Sequence, residues 1–95
     1  MPSSAPSFHL RLYVAGGAPR SLRAVESVSR VCARHLAGRY ELDVVDVYRQ
    51  PELAAREGVR GVPALVRVSP PPMRRIVGDL GDESKLCSAI LEIPT

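Results

Sequence analysis

The sequence has no tryptophan, one phenylalanine and three tyrosines. Single-stranded nucleic-acid binding needs aromatic platforms interleaved with basic residues, and such a reading finds no support here. Lysine is reduced to Lys85, so the net charge of +3 comes from arginine and is too small to imply nucleic acid without a concentrated patch. There are two cysteines, Cys32 and Cys87, and two histidines, His9 and His35, none of them at metal-ligand spacing. No metal and no cofactor are expected. Gly16-Gly17 is not followed by Gly-Lys-Ser/Thr, which excludes a phosphate loop. No apolar run approaches the ~20 residues of a membrane span. Met1 to Ser7 has neither the basic nor the apolar region of a signal peptide. The expectation is a soluble cytoplasmic protein with no membrane contact.

What is present reads as one small α/β domain over residues 8–95, preceded by a flexible Ser/Pro/Ala-rich tail over 1–7. A chain of this size buries roughly 60–65% of its unfolded surface, so its core is modest. Phe8 to Ala15 alternates, with Phe8, Leu10, Leu12 and Val14 on one face and His9, Arg11 and Tyr13 on the other. This predicts an edge-like strand with solvated His9. Arg20 to Leu36 has helical period, with Leu22, Val25, Val28, Ser29, Cys32 and Leu36 inward and Arg23, Arg30 and Arg34 outward; Gly38 is a cap. Tyr40 to Tyr48 reads as a central strand because Leu42, Val44, Val45 and Val47 load both faces. Strand, helix and strand with short loops imply a parallel pair.

Pro51 opens a short helical segment that Gly58 closes. Ala64 to Val68 and Met73 to Val77 are two strand-length runs joined by Pro70, Pro71 and Pro72, a hairpin with a stiff connector. With Pro63, four X-Pro bonds fall in this region, each able to hold two backbone paths. Asp82 is a helix cap, and Lys85 to Ile93 is a last helix with Leu86, Ala89, Ile90 and Ile93 on one face. The order βαβαββα is that of a thioredoxin-like fold, and Val62-Pro63 stands where that fold carries a cis-proline.

A redox enzyme of that fold needs a thiolate after the first strand. Gly16, Gly17, Ala18 and Pro19 occupy those positions, so no enzyme activity is expected. Glu41 and Asp43 are read as solvent-facing, and Asp46 as capping a turn or pairing with an arginine. Arg74 and Arg75 carry more weight. Neighbours in a strand point to opposite faces, so one of the two is expected to pair or to bind a partner. The apolar stretch around Val66 and Val68 is read as an edge able to pair with another chain.

Three segments resemble the KaiB family of circadian-clock proteins: LRLYVAGGAPRSLRA, YELDVVDVYRQPELA and SPPPMRRIVGDL. The resemblance runs from about Leu10 to Leu86. It implies a non-enzymatic regulator that binds a KaiC-type ring ATPase and, indirectly, a KaiA-type protein or a histidine kinase, in timing or stress signalling. It also implies a fold switch between a thioredoxin-like state, which binds the ring, and a rearranged βαββααβ state that is a dimer or tetramer. By resemblance, Pro63, Pro70, Pro71, Pro72, Gly78 and Asp79 belong to the switching half. Arg74 and Arg75 dock or stabilise the hairpin. With Arg74 and Arg75, the residues Arg23, Tyr40, Pro51, Leu53 and Ala54 belong to partner-binding surfaces. Asp43 departs from the lysine that clock members usually carry, a difference that bears on a KaiA-type contact. The clock proteins' acidic tail has no counterpart, from which the thioredoxin-like state is expected at rest. A sensor module of a two-component system is the alternative.

Overall fold

A computed structural model describes residues 7–77 and 80–91. Most of the expected tail, the switch residues Gly78 and Asp79, and Ile93 lie outside the described residues. The elements follow the order expected from the sequence: β1 (Phe8–Val14), α1 (Pro19–His35), β2 (Tyr40–Asp46), α2 (Pro51–Arg56), β3 (Ala64–Ser69), β4 (Arg74–Ile76) and α3 (Glu83–Leu91). The four strands form one sheet in the order β2-β1-β3-β4. β1 runs parallel to β2 and antiparallel to β3, and β3 to β4 is the expected hairpin.

Strand order corrects three expectations. β1 is interior, although its polar face read as edge-like. β2, expected to be central, pairs among the described residues with β1 alone. Its apolar residues are explained differently: Leu42 packs on one face, Val45 is buried on the other, and Val44 is half exposed. β3 lies between β1 and β4, so Val66 is buried and Val68 half-buried; neither forms an edge. Alternation along a strand reports which side is apolar, but a polar face can be covered when its charges find partners.

α1 and α3 pack on one face of the sheet. Phe8, Leu10, Leu12 and Val14 meet Ala24, Val28, Val31, Cys32, Leu86 and Ile90 there. The buried stripe of α1 is rotated from the expected one. Ser21, Ala24, Val28, Val31 and Cys32 are inward, and Leu22 is exposed. Ser21 turns inward because its hydroxyl accepts a 3.0 Å hydrogen bond from Ala15 N–H at the end of β1. Gly38 takes φ +75°, a conformation that suits glycine, and the chain turns there into β2. Asp82 caps α3 as expected, its Oδ1 accepting from Lys85 N–H at 3.2 Å.

Arg67 has no accessible surface at all. It pairs with Arg74 across the hairpin and shares the α3 side of the sheet with Leu65. Its Nη1 donates to the Ile90 carbonyl in the last turn of α3 at 2.8 Å, and its Nη2 to the Pro72 carbonyl at 3.1 Å. A buried guanidinium is costly unless its donors find acceptors, and both terminal nitrogens do. Here it ties the proline connector to the end of α3, where helix carbonyls otherwise lack partners.

Candidate partner-binding surface

α2 covers part of the opposite sheet face. Tyr13, Val45 and Val66 of the sheet are buried with Ala54 of the helix, and Leu53, Val59, Val62 and Val68 are half-buried around them. That apolar patch is small, and polar contacts supplement it. Glu57 follows the last residue of α2 and turns its carboxylate to the sheet. Arg11 Nη1 donates to Glu57 Oε1 at 2.7 Å, and the Tyr13 hydroxyl donates to the same oxygen. From β4, Arg75 Nη2 donates to the Glu57 carbonyl at 2.6 Å. One residue therefore joins α2 to β1 and to the hairpin. Gly58 is next in the chain at φ +70°, and a Cβ there would stand 3.2 Å from Arg75 Nη2. Both its conformation and the approach of Arg75 favour glycine at this position.

Electrostatics agree with this geometry. Burial by itself pushes the Glu57 carboxyl up. Hydrogen bonds from Tyr13 and Arg11, with the charges of Arg11 and Arg75, outweigh it and hold the group below its usual range. Arg11 is raised, chiefly by its hydrogen bond to Glu57. The Tyr13 hydroxyl is raised by burial and by its bond to Glu57. Arg11, Glu57 and Tyr13 are therefore a cation, an anion and a neutral donor at neutral pH. Two signals for this cluster stood in the sequence without being joined: the polar side of β1, and a glutamate directly before the helix-ending Gly58. What joins them is the packing of α2 across the sheet, 44 residues away in the chain.

The sequence-derived residues fall into groups. Arg75 is exposed and reaches Glu57, while Arg74 is half-buried on the other side of the sheet, as alternation requires. Pro51 is exposed, Leu53 is half-buried, and Ala54 is a core residue that seats α2. Arg23 is exposed on α1, on the opposite side of the sheet from α2, and Tyr40 is partly exposed at the start of the β2 edge. The structure thus brings Pro51, Leu53 and Arg75 to the α2 side and keeps Arg23 apart from them. Pro63 is buried, whereas Pro71 and Pro72 are exposed at the hairpin tip and Pro70 is half-buried. The Val62–Pro63, Ser69–Pro70 and Pro71–Pro72 bonds are cis.

No cysteine stands at the β1–α1 turn, where Gly16 and Gly17 lie. Cys32 is buried in the core, which pushes its thiol up to about 11 and keeps it protonated at neutral pH. Asp46 caps a turn as expected, its Oδ1 accepting from Tyr48 N–H at 2.9 Å and Gly16 N–H at 3.3 Å. The reading of His9 as a solvated histidine is corrected. Its Nε2 lies 2.7 Å from Asp43 Oδ2 and 3.6 Å from Glu41 Oε2. Spacing in the sequence could not show this, because the parallel register of β1 and β2 creates the neighbourhood. Among the described residues, no helix is long and apolar enough to cross a membrane.

Comparison with known proteins gives a consistent answer. A profile of the KaiB domain matches residues 11–92. The circadian clock oscillator protein KaiB of Prochlorococcus marinus subsp. pastoris is 41% identical over 80 residues, covering 84% of this chain and 75% of that protein. The protein of the same name from Thermosynechococcus vestitus is 40% identical over 80 residues, covering 84% and 74%. Among solved structures, the N-terminal domain of Synechococcus elongatus SasA superposes with a TM-score of 0.75 at 26% identity, over 93% of this chain and 83% of that one. Chloroplastic thioredoxin z superposes with a TM-score of 0.74 at 20% identity, over 92% and 78%, a likeness of fold alone. The fold is thioredoxin-like, and the chain belongs to the KaiB family.

Proposed function

We propose that this protein is a non-enzymatic regulator that binds a KaiC-type ring ATPase in the cytoplasm, through the side of the sheet that carries α2 and the β3–β4 hairpin. Membership of a family whose relatives are named circadian clock oscillator proteins supports this reading. The observation that carries it is the Arg75–Glu57 contact of 2.6 Å. It makes α2 and the hairpin one presenting surface, with Pro51, Leu53 and Arg75 along it. Glu57, Arg11 and Arg67 act behind that surface, holding it in shape. A KaiA-type protein or a histidine kinase is then engaged through the ring and not directly. Binding changes the ring's signalling output, and no chemistry is performed on a substrate.

The thioredoxin-like arrangement is the ring-binding state in this reading and is populated at rest. The second state, a dimer or tetramer, requires the C-terminal half to rearrange and Arg67 to leave both Ile90 and Pro72. Size-exclusion chromatography of the protein, alone and with a KaiC-type ATPase plus ATP, tests the binding. Co-elution is expected, and Arg75→Ala should reduce the bound fraction several-fold while its circular dichroism stays unchanged. Absence of co-elution after hours of incubation would overturn the assignment, as would full binding by Arg75→Ala. A solution structure with helices in place of β3 and β4 would overturn the resting state. Likeness to the SasA domain favours a second reading, a sensor module of a two-component system. That reading requires the protein to alter a histidine kinase's autophosphorylation with no ring ATPase present.

A further inference from the structure

At the start of the β1–β2 pair, three side chains converge whose chemistry the proposed function does not use. In the parallel register His9 lies opposite Glu41, and Asp43 is two residues further along on the same side. His9 Nε2, a Glu41 oxygen and an Asp43 oxygen all lie within 4.8 Å of one another. Strands fix the Cα positions, so this triangle does not depend on a loop. We propose that His9, Glu41 and Asp43 form a binding site for a divalent transition-metal ion, with Zn²⁺ as the reference metal.

Donor chemistry selects the class. One imidazole nitrogen and two carboxylate oxygens suit zinc and its neighbours, whereas magnesium and calcium prefer oxygen alone. Tetrahedral bonds of about 2.0–2.1 Å place ligand atoms roughly 3.3–3.5 Å apart. The His9–Glu41 separation of 3.6 Å is close to that value. The His9–Asp43 separation of 2.7 Å has to open by less than an ångström, which a carboxylate rotation supplies. Three protein ligands leave a coordination position for water, the pattern of an open site.

Charge supports the assignment independently. Arg11 stands directly opposite Asp43 in the register and is the cation placed to neutralise it. Its guanidinium instead donates to Glu57 at 2.7 Å. The two carboxylates therefore face His9, and a dication would balance both. Asp43 also lines a cleft of about 420 Å³ with Arg11, Gln50 and Leu53, so solvent and metal reach it from the α2 side.

Zinc chloride titrated into the 95-residue protein against a chromogenic zinc chelator tests the site, with ¹H–¹⁵N spectra recorded in parallel. About one equivalent should bind, and zinc-dependent shifts should centre on residues 8–11 and 40–44. His9→Asn and Asp43→Asn should each weaken binding on the order of tenfold or more with an unchanged fold. Cys32→Ala/Cys87→Ser should leave the affinity as it is; if that double variant does not fold, the spectra of the native chain decide alone. Equal affinity in the His9 and Asp43 variants would overturn the proposal. So would shifts centred on Cys87 or His35, or no binding at tens of micromolar zinc.

Discussion

Among the described residues, thirteen from Phe8 to Ile90 are buried together where α1 and α3 meet the sheet, and Tyr13, Val45, Ala54 and Val66 where α2 meets it. The first face is held chiefly by apolar packing against helices of 17 and 9 residues, with Arg67 buried beside them. The second has a six-residue helix, too short to bury much, and relies on Arg11, Tyr13 and Arg75 meeting at Glu57. Apolar packing is non-directional and tolerates small shifts. A cluster of charge-assisted hydrogen bonds holds one geometry and fails when one partner is withdrawn. The difference teaches where the molecule opens at least cost: a face fixed by a few polar contacts can open locally, whereas opening the thick face exposes much more apolar surface.

The largest effect is expected on the thick face. Leu86→Ala removes a fully buried side chain between α3 and the sheet and should cost about 2–5 kcal/mol in urea unfolding, with the denaturant slope unchanged. A loss below about 1 kcal/mol would mean that α3 contributes little to this core.

Glu57→Gln comes next, at about 1–3 kcal/mol, because it removes the charge shared by Arg11 and Tyr13 and leaves a half-buried guanidinium without its anion. Hydrogen exchange should speed up across α2 and leave α1 protected. Equal acceleration in both helices would show that the two faces are one cooperative unit. Acid sharpens the same comparison. The folded Glu57 carboxyl lies below its usual value of about 4.3. Its stabilisation is therefore complete above that value and is lost as pH falls through the lower folded one. Glu57→Gln should flatten that acid limb, and a limb unchanged by the substitution would assign acid sensitivity to other carboxylates.

The smallest effect belongs to the rim between α1 and α3. Glu83 accepts from Arg30 at 2.8 Å and lies 3.8 Å from Arg34, all three with substantial exposure. Arg34→Ala should change stability by less than about 1 kcal/mol, less still in high salt. A larger loss would place part of the thick face's strength in its charges.

Element order was legible because each element has its own period. Phe8 to Val14 alternates, Pro19 to His35 repeats helically, and prolines bracket β3. The outward arginines of α1 were equally legible, since an exposed charge needs no partner. The rotation of α1's inward stripe was not, because Leu22 and Ala24 compete for burial and the sheet beneath decides between them. Arg67 left a trace, a charged residue at the inward position of Ala64–Ser69. Its partners are the carbonyls of Pro72 and Ile90, and a sequence does not display which carbonyls lack a donor.

By itself, then, the sequence determined the thioredoxin-like order of elements, the empty place of the redox cysteines and the KaiB relationship. These rest on local periodicity, residue identity and spaced motifs. Tertiary structure alone decided that β1 is interior and β2 an edge, that Glu57 gathers Arg11, Tyr13 and Arg75, and that His9 meets Glu41 and Asp43. The reason is physical: strand order and register bring together groups 18 to 46 residues apart, and only that proximity fixes which charges are paired and which remain available.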